Sequence, residues 1–170
     1  DKALSAAMNV VGKDFGAKKI FLPQVMLSAE AMREAFIKIK ERIPADSVSN
    51  KGTIVIATVK GDIHDLGKNI VSALLENNGF KVIDLGKDID KEEIIKAAID
   101  NKADMIGLCS LMTTTITQID EVIAELNKSE YSTKVMIGGA VVTQEYADNV
   151  GADAYAPDGV EAVEIAKKLI

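Results

Sequence analysis

Residues 61–69 have the sequence Gly61-Asp62-Ile63-His64-Asp65-Leu66-Gly67-Lys68-Asn69 and include the single histidine of the 170-residue chain. They follow a continuous run of β-branched and apolar residues at 53–59, the pattern of a strand that is buried on both faces of a parallel sheet. An amphipathic stretch at 66–78 comes next, and Gly79 stands where a helix would end. The quoted residues are therefore predicted to form a strand-to-helix turn. A single imidazole must act there with partners of other residue types.

The same alternation repeats downstream. Further strands are predicted at 80–84, 105–109, 134–137 and 154–155, and further helices at 91–101, 115–128, 144–149 and 160–169. Five strand-helix units with short connections predict an α/β fold with a flavodoxin-like (Rossmann-like), doubly wound, five-stranded parallel sheet. Such sheets bind ligands at the carboxyl ends of their strands. The loops to inspect are therefore 60–67, 85–90, 110–115, 138–143 and 156–159.

The first 44 residues have a helical rather than a strand period. Apolar residues recur at helical spacing over 3–11, glycines at 12 and 16 punctuate that helix, and a second helix is predicted from Leu22-Pro23 to Pro44. Two short helices cannot bury their own apolar faces, so we expect a partial helical-bundle cap at 1–44, a polar linker at 45–52 and the α/β domain at 53–170. The absence of an initiator Met suggests that the sequence was cut from a longer chain.

Composition excludes several classes of protein. The net charge of -6, with no basic stripe, argues against nucleic acid or an anionic membrane as partner. The single cysteine, Cys109, lies in an apolar run, which excludes a disulfide framework and a cysteine zinc site and fits a reducing, cytoplasmic setting. No apolar stretch is long enough for a secretory signal or a membrane span.

The loops at the predicted ligand edge contain an acid-histidine pair, a cluster of hydroxyl groups and a pair of glycines. Each has a local explanation, because Asp65 or one of Thr113 and Thr114 could cap a helix, and Gly138-Gly139 could serve a turn. Each also fits a ligand, since hydroxyls can satisfy acceptors and glycine lets a flat group approach the backbone. Their convergence on one edge favours a ligand site.

Three motifs in this order resemble the signature of cobalamin-binding domains. Asp62-x-His64-x-x-Gly67 is similar to that family's Asp-x-His-x-x-Gly, Cys109-Ser110-Leu111 to its Ser-x-Leu, and Gly138-Gly139 to its Gly-Gly. Upstream, residues 8–15 and Phe21-Leu22-Pro23-Gln24-Val25 resemble the helical cap of cobalamin-dependent methionine synthase and of the small corrinoid methyltransferase proteins. The resemblance covers nearly the whole chain and implies that cobalamin is its cofactor.

The resemblance also implies roles for individual residues. His64 would be the lower axial ligand of cobalt, Asp62 would accept a hydrogen bond from its other ring nitrogen, and Thr115 would continue this relay as the third catalytic residue. A carboxylate in that position fixes the imidazole tautomer and raises its basicity. The other residues expected to bind the cofactor around the motif are Ile63, Asp65, Leu66, Gly67, Cys109, Ser110, Leu111, Thr113, Gly138, Gly139 and Ala140.

Two features need separate expectations. Cys109 stands where the family has serine, and Ser110 falls on a variable position, so we expect a weaker thiol contact to the cofactor tail. Phe15, Leu22 and Val25 match cap residues over the upper face of the corrin, where an apolar lid would exclude water. The alternative for these three residues is ordinary packing within a helix pair. Only about half of the family's four-helix cap is present.

The expected function is a methyl carrier that is not active alone. We favour a methionine synthase module, which passes methyl from methyltetrahydrofolate to homocysteine through Co(I) and methyl-Co(III), because the cap and residues 57–62 resemble that branch. The alternative is a stand-alone corrinoid protein of a methanol, methylamine or aryl-ether (O-demethylase) system. The expected partners are methyl-donor and methyl-acceptor methyltransferase domains or subunits and a reductive reactivation partner.

Three other classes fit less well. An adenosylcobalamin isomerase would have a bulky adenosyl group where the Phe15, Leu22 and Val25 cap lies. A cobalamin-sensing regulator would need an attached DNA-binding segment. A phospho-receiver would need an aspartate at the end of the third strand, where Cys109 stands, and a lysine at the end of the fifth.

Overall fold

Five parallel strands form the sheet of the computed structural model, which describes residues 2–40 and 51–170. Their order is β2-β1-β3-β4-β5, the flavodoxin-like order that the sequence predicts. The predicted strand boundaries are confirmed to within a residue or two, as expected where apolar runs end at turn residues. The strands are β1 Thr53–Thr58, β2 Lys81–Asp84, β3 Met105–Cys109, β4 Lys134–Gly138 and β5 Ala154–Ala156.

Helices cover both faces of the sheet. One face packs against α3 and α7, and the other packs against α4, α5 and α6, so each face has its own buried apolar cluster. All six residues of β1 are buried between the two layers, which explains its continuous apolar run. The helices of this domain are α3 Leu66–Asn77, α4 Lys91–Asp100, α5 Thr117–Lys128, α6 Gln144–Val150 and α7 Gly159–Leu169.

The chain reverses its direction of winding between β1 and β3. After β1 it crosses to the edge strand β2 and then returns to place β3 on the other side of β1, with Thr58 paired to Cys109. The loops after β1 and β3 therefore meet at the carboxyl edge, where doubly wound sheets bind ligands. The Val59 N–H donates to the Cys109 carbonyl at 3.1 Å, which holds these two strand ends together.

Two helices precede the sheet, α1 Lys2–Gly16 and α2 Leu22–Lys40. The predicted interruption at Gly12 is wrong, because α1 continues through it. A Cβ at Gly12 would lie 2.5 Å from Val160 Cγ2, so the glycine lets α1 approach α7 closely. In α2, Ala29 and Met32 join the apolar cluster of α3 and α7. The predicted end of this helix at Pro44 and most of the linker, residues 41–50, lie outside the described residues.

Within the described ranges, no helix combines the length and the apolar character that a membrane span requires.

Candidate functional site

A buried carboxylate, Asp62, lies where the loops after β1 and β3 meet. Its side chain has no exposed surface, and it accepts five hydrogen bonds. Oδ1 accepts the main-chain N–H of His64 at 3.0 Å and lies 2.8 Å from His64 Nδ1. Oδ2 accepts the N–H of Leu111 at 2.7 Å, the N–H of Met112 at 3.3 Å and the hydroxyl of Thr115 at 3.0 Å. The carboxylate thus joins the two loops.

These bonds keep Asp62 ionised. Burial alone would raise the pKa of the carboxyl, but the amides of His64 and Leu111, the His64 ring and the Thr115 hydroxyl outweigh it and lower the pKa to about 2. An ionised carboxylate can accept a hydrogen bond from a protonated nitrogen, but at neutral pH it has no proton to donate. The proton shared with His64 therefore belongs to the imidazole.

The His64 ring is fixed on one side and open on the other. Because ionised Asp62 accepts from Nδ1, the neutral ring is the tautomer with its proton on Nδ1 and a lone pair on Nε2. The side chain is 47% exposed, so it is accessible to a ligand. An imidazole with a carboxylate on one nitrogen and a lone pair on the other has the arrangement that metal-binding histidines use.

Two buried hydroxyls extend this group into the protein. Thr115 Oγ1 lies 2.9 Å from Ser110 Oγ and 3.1 Å from the Met112 carbonyl, in addition to its bond to Asp62. Residues 113–116 form turns, and α5 begins at Thr117, two residues later than predicted. This turn brings the Thr115 side chain back toward Asp62. Asp62, His64, Thr115 and Ser110, all predicted site residues, are thus brought together.

Large apolar side chains are exposed on the two loops that meet at Asp62. Ile63 is 63% exposed, Leu66 43% and Leu111 39%. Leu111 belongs here because its main-chain N–H bonds Asp62. Exposed large apolar residues near a polar centre are typical of a surface that binds a ligand rather than of a surface that contacts only water. A half-exposed imidazole on loops that also expose large apolar side chains fits a broad, flat, metal-centred ring, so the residues present fit a cobalamin.

Cys109 lies at the end of β3 beside this group. Burial, and then the charge of Asp62, raise the pKa of its thiol to about 11. The thiol therefore stays protonated at neutral pH and can act only as a weak hydrogen-bonding group. Its predicted contact with a cofactor tail stays a prediction.

The glycine pair has a packing role of its own. Gly139 has a φ of 126°, and a Cβ there would lie 1.8 Å from the Ser110 carbonyl oxygen. At Gly138 a Cβ would lie 2.9 Å from the Ala156 carbonyl oxygen. Both glycines are thus required by close contact between strand ends, and Ala140 beyond them is exposed. Their expected contact with the cofactor tail stays a prediction.

The prediction that Asp65, and Thr113 or Thr114, cap helices is wrong. Asp65 occupies the cap position of α3, but its side chain makes no capping hydrogen bond and lies 3.8 Å from Lys87 Nζ. Ile116, and neither Thr113 nor Thr114, precedes α5. Thr113 is exposed, and a Cβ at Gly67 would meet nothing within 4 Å. Thr113 and Gly67 are therefore exposed at the ligand edge, whereas Asp65 is half-buried beside Lys87.

The predicted lid residues lie in the two N-terminal helices. Val25 is buried and Phe15 is partly exposed, whereas the side chain of Leu22 lies outside the described residues. A cavity of about 400 Å³ separates α2 from α3, with Met26 on one wall and Leu66 on the other. Room therefore exists beside the motif turn, and the lid role stays a prediction.

The burial of Lys68 was not predicted from the sequence. This side chain is 1% exposed, and Nζ lies 2.5 Å from both carboxylate oxygens of Asp84 and 2.7 Å from Asn69 Oδ1. The helical period carried a signal, because Lys68, Ser72 and Leu75 fall on one face of α3. The pair links the start of α3 to the end of β2.

Within the described ranges, no three His, Cys, Asp or Glu side chains are grouped to hold a metal ion.

Comparison with known proteins gives the family. A B12 binding domain family matches residues 52–166, and a second B12 binding domain family matches residues 1–40. Dimethylamine corrinoid protein 1 of Methanosarcina acetivorans is 48% identical over an alignment of 174 positions, which covers 100% of this chain and 81% of the relative.

Two solved structures are similar. The methanol:cobalamin methyltransferase complex of Methanosarcina barkeri matches with a TM-score of 0.86 and 38% identity over 99% of this chain and 65% of that one. The monomethylamine corrinoid protein of the same species matches with a TM-score of 0.67 and 34% identity over 98% of this chain and 80% of that one.

These relatives favour the stand-alone corrinoid protein, which the sequence offered as the alternative, and do not support the methionine synthase expectation. The site residues do not separate the two branches, because the motifs are shared by both. The chain belongs to the B12-binding domain family, among the corrinoid proteins of methyltransferase systems, and its cofactor is cobalamin.

Proposed function

We propose that this chain is a stand-alone corrinoid protein that carries a methyl group between methyltransferase subunits, with His64 as the protein ligand of cobalt. The Asp62–His64 pair is the observation that carries the proposal. A buried, ionised carboxylate holds Nδ1 at 2.8 Å, and the lone pair of Nε2 remains for a metal. Bound cobalamin supplies a cobalt centre that accepts a methyl group from a donor and releases it to an acceptor.

The protein's own residues orient and protect this ligand. Asp62 keeps the imidazole in one tautomer and raises its basicity, and the Thr115 hydroxyl helps to stabilise the carboxylate. The apolar side chains of Ile63, Leu66 and Leu111 would exclude water around the ligand when the cofactor covers them. Phe15, Leu22 and Val25 are proposed to cover the opposite face of the cofactor. The remaining predicted residues of the three loops are proposed to line its edge and tail.

The proposed methyl donor is a methylamine. Dimethylamine is the first candidate, because relatives named as dimethylamine corrinoid proteins share 45 to 48% identity with the chain. Methanol is the second candidate, because the methanol:cobalamin methyltransferase complex has the same fold at a TM-score of 0.86. In either case separate subunits would bind the donor and the acceptor, and a reductive partner would restore the cofactor after oxidation.

The ligand assignment can be tested by electron paramagnetic resonance of bound cob(II)alamin. Because His64 is the single histidine of the chain, labelling with ¹⁵N-histidine marks one imidazole only. We expect nitrogen hyperfine splitting whose multiplicity changes with the label and which disappears in His64→Gly. Splitting that ignores the label, or that persists in His64→Gly, would show that another nitrogen binds cobalt.

The donor is tested by methyl transfer to the cobalamin-loaded protein. Methyltransferases for dimethylamine, monomethylamine and methanol are each supplied with their substrate, and methylation is followed by the visible absorbance of the cofactor. We expect the dimethylamine enzyme to be the fastest. Methylation by a methyltetrahydrofolate enzyme alone would refute the proposed donor class but not the role of His64.

A further inference from the structure

The loop between β2 and α4, residues 85–90, is bonded to the turn that carries Asp62 and His64. The Gly61 N–H donates to Asp88 Oδ1 at 2.8 Å, and the Asp88 N–H donates to the Asp62 carbonyl at 3.0 Å. These two bonds run in opposite directions and close a ring between the loops. The main chain at 61–62 cannot shift outward without breaking one of them.

The backbone at this contact adopts left-handed conformations. Asp88 has a φ of 58° and Gly61 a φ of 79°. Among residues with a side chain, aspartate and asparagine are enriched in this region. Gly61 also packs so closely on the Thr115 methyl group that a Cβ would lie 3.3 Å away. The turn is therefore held between Asp88 and Thr115.

The hydrogen bond, rather than the nearby ion pairs, is the main interaction of the Asp88 side chain. Lys60 Nζ lies 3.5 Å from Asp88 and 3.2 Å from Asp90, and all three side chains are about half exposed. Exposed ion pairs of this kind contribute little and are screened by salt. The pKa of Asp88 is lowered first by the Gly61 amide and then by Lys60, which agrees with a carboxylate that accepts a main-chain N–H.

We propose that Asp88 is a positioning residue for the cobalt ligand. Through Gly61 and the main chain of Asp62 it fixes the start of the turn, so that the Asp62 carboxylate remains below His64 and the ring keeps the direction that a metal requires. This inference rests on the proposed roles of His64 and Asp62. Asp88 bonds Gly61 and the Asp62 carbonyl and lies near Lys60, so its proposed action on His64 passes through the main chain of the turn.

Three variants of the full chain separate the hydrogen bond from backbone strain and from charge. Asp88→Gly tolerates the left-handed conformation but removes the acceptor, whereas Asp88→Asn keeps an acceptor oxygen and also tolerates that conformation. Asp90→Ala is the matched control, because it removes the neighbouring carboxylate that also contacts Lys60. Each protein is titrated anaerobically with cob(II)alamin, and its nitrogen hyperfine splitting is recorded with ¹⁵N-histidine labelling.

We expect Asp88→Gly to weaken cob(II)alamin binding about tenfold, the effect of losing one hydrogen bond to a charged group, and to reduce the fraction of cobalt with His64 splitting. Asp88→Asn should stay within about threefold of the original protein, since a neutral acceptor keeps about half of the free energy of such a bond. Asp90→Ala should be unchanged in both measurements.

Four results would overturn the inference or its basis. Normal affinity in Asp88→Gly would show that the bond does not position the site, and equal loss in Asp88→Asn would show that charge matters instead. Weaker affinity with an undiminished fraction of His64 splitting would assign Asp88 to loop stability alone. An original protein without His64 splitting would refute the proposed function rather than the role of Asp88.

Discussion

Replacing Asp62 by asparagine should reverse the tautomer of His64. The Oδ2 position faces three donors, from Leu111, Met112 and Thr115, so the amide oxygen of the variant should take that place. The amide nitrogen then takes the Oδ1 position, 2.8 Å from His64 Nδ1 and 3.0 Å from the His64 main-chain N–H. His64 Nδ1 can accept a hydrogen bond from an N–H in that place only if the ring proton is on Nε2 instead of Nδ1.

The size of the effect follows from these contacts. A ring with its proton on Nε2 has its lone pair on Nδ1, which faces residue 62, and none on Nε2 for cobalt. Loss of an outer partner of a metal-binding histidine costs about 10 to 100-fold in affinity. The main-chain N–H of His64 then faces the amide nitrogen of the variant and loses its acceptor inside the protein. This loss should lower the free energy of unfolding by about 1 to 3 kcal/mol. Both losses arise from one nitrogen-for-oxygen exchange without a change of volume.

Two measurements test Asp62→Asn. Titration with cob(II)alamin gives the affinity and the nitrogen hyperfine splitting, and urea unfolding of the cofactor-free protein gives the stability. Asp90→Asn, in the neighbouring loop, is the matched control, because its exposed carboxylate contacts Lys60 and not the His64 turn. Original affinity together with full His64 splitting in Asp62→Asn would refute the reasoning.

Three further predictions concern the same edge of the sheet. The folded state favours ionised Asp62, since the pKa of this carboxyl is about 2 against an ordinary 3.8. This difference in pKa should therefore contribute about 2 kcal/mol to the free energy of unfolding above about pH 4, and this contribution should be lost as the pH falls through 2. Urea unfolding at each pH should show the loss in the original protein and not in Asp62→Asn. Gly139→Ala should destabilise the protein by about 3 kcal/mol or more, because the new Cβ would collide with the Ser110 carbonyl. Gly67→Ala, where a Cβ meets nothing, should change the stability measured by thermal unfolding by less than about 1 kcal/mol. Equal effects of the two substitutions would contradict the packing role of Gly139. With a pKa of about 11, the Cys109 thiol should react with iodoacetamide at pH 8 about a hundredfold more slowly than a free cysteine, and an ordinary rate would show that the thiol is not buried.

Most of the fold was predictable because its signals are local. The continuous apolar run of β1 and the turn residues after each element predicted the strands to within a residue or two and indicated the sheet order. The exceptions show where local rules fail. Gly12 lies inside α1 because close packing against Val160 compensates for its poor helix propensity.

Part of the site was also predictable. The Asp62-x-His64-x-x-Gly67 pattern and its resemblance to cobalamin-binding domains led to the correct cofactor. The relatives do not support the methionine synthase expectation, and the quoted motifs could not decide it because they resemble cobalamin-binding domains in general. Asp88 was not singled out, since an aspartate in a Gly-Lys-Asp turn looks like ordinary loop chemistry until its partner across the loop is known.

The sequence by itself determined the class of fold and predicted the edge of the sheet at which a ligand is expected, because hydrophobic period and turn chemistry act over a few neighbouring positions. Only the tertiary structure decided that Thr115, 53 residues away, bonds Asp62, that Asp88 holds Gly61, and that Lys68 is buried against Asp84. The first of these contacts depends on the crossover that places β3 beside β1, and the other two depend on the pairing of β2 with β1 on its other side. Such contacts are made across the sheet, where separation along the chain carries no information about distance.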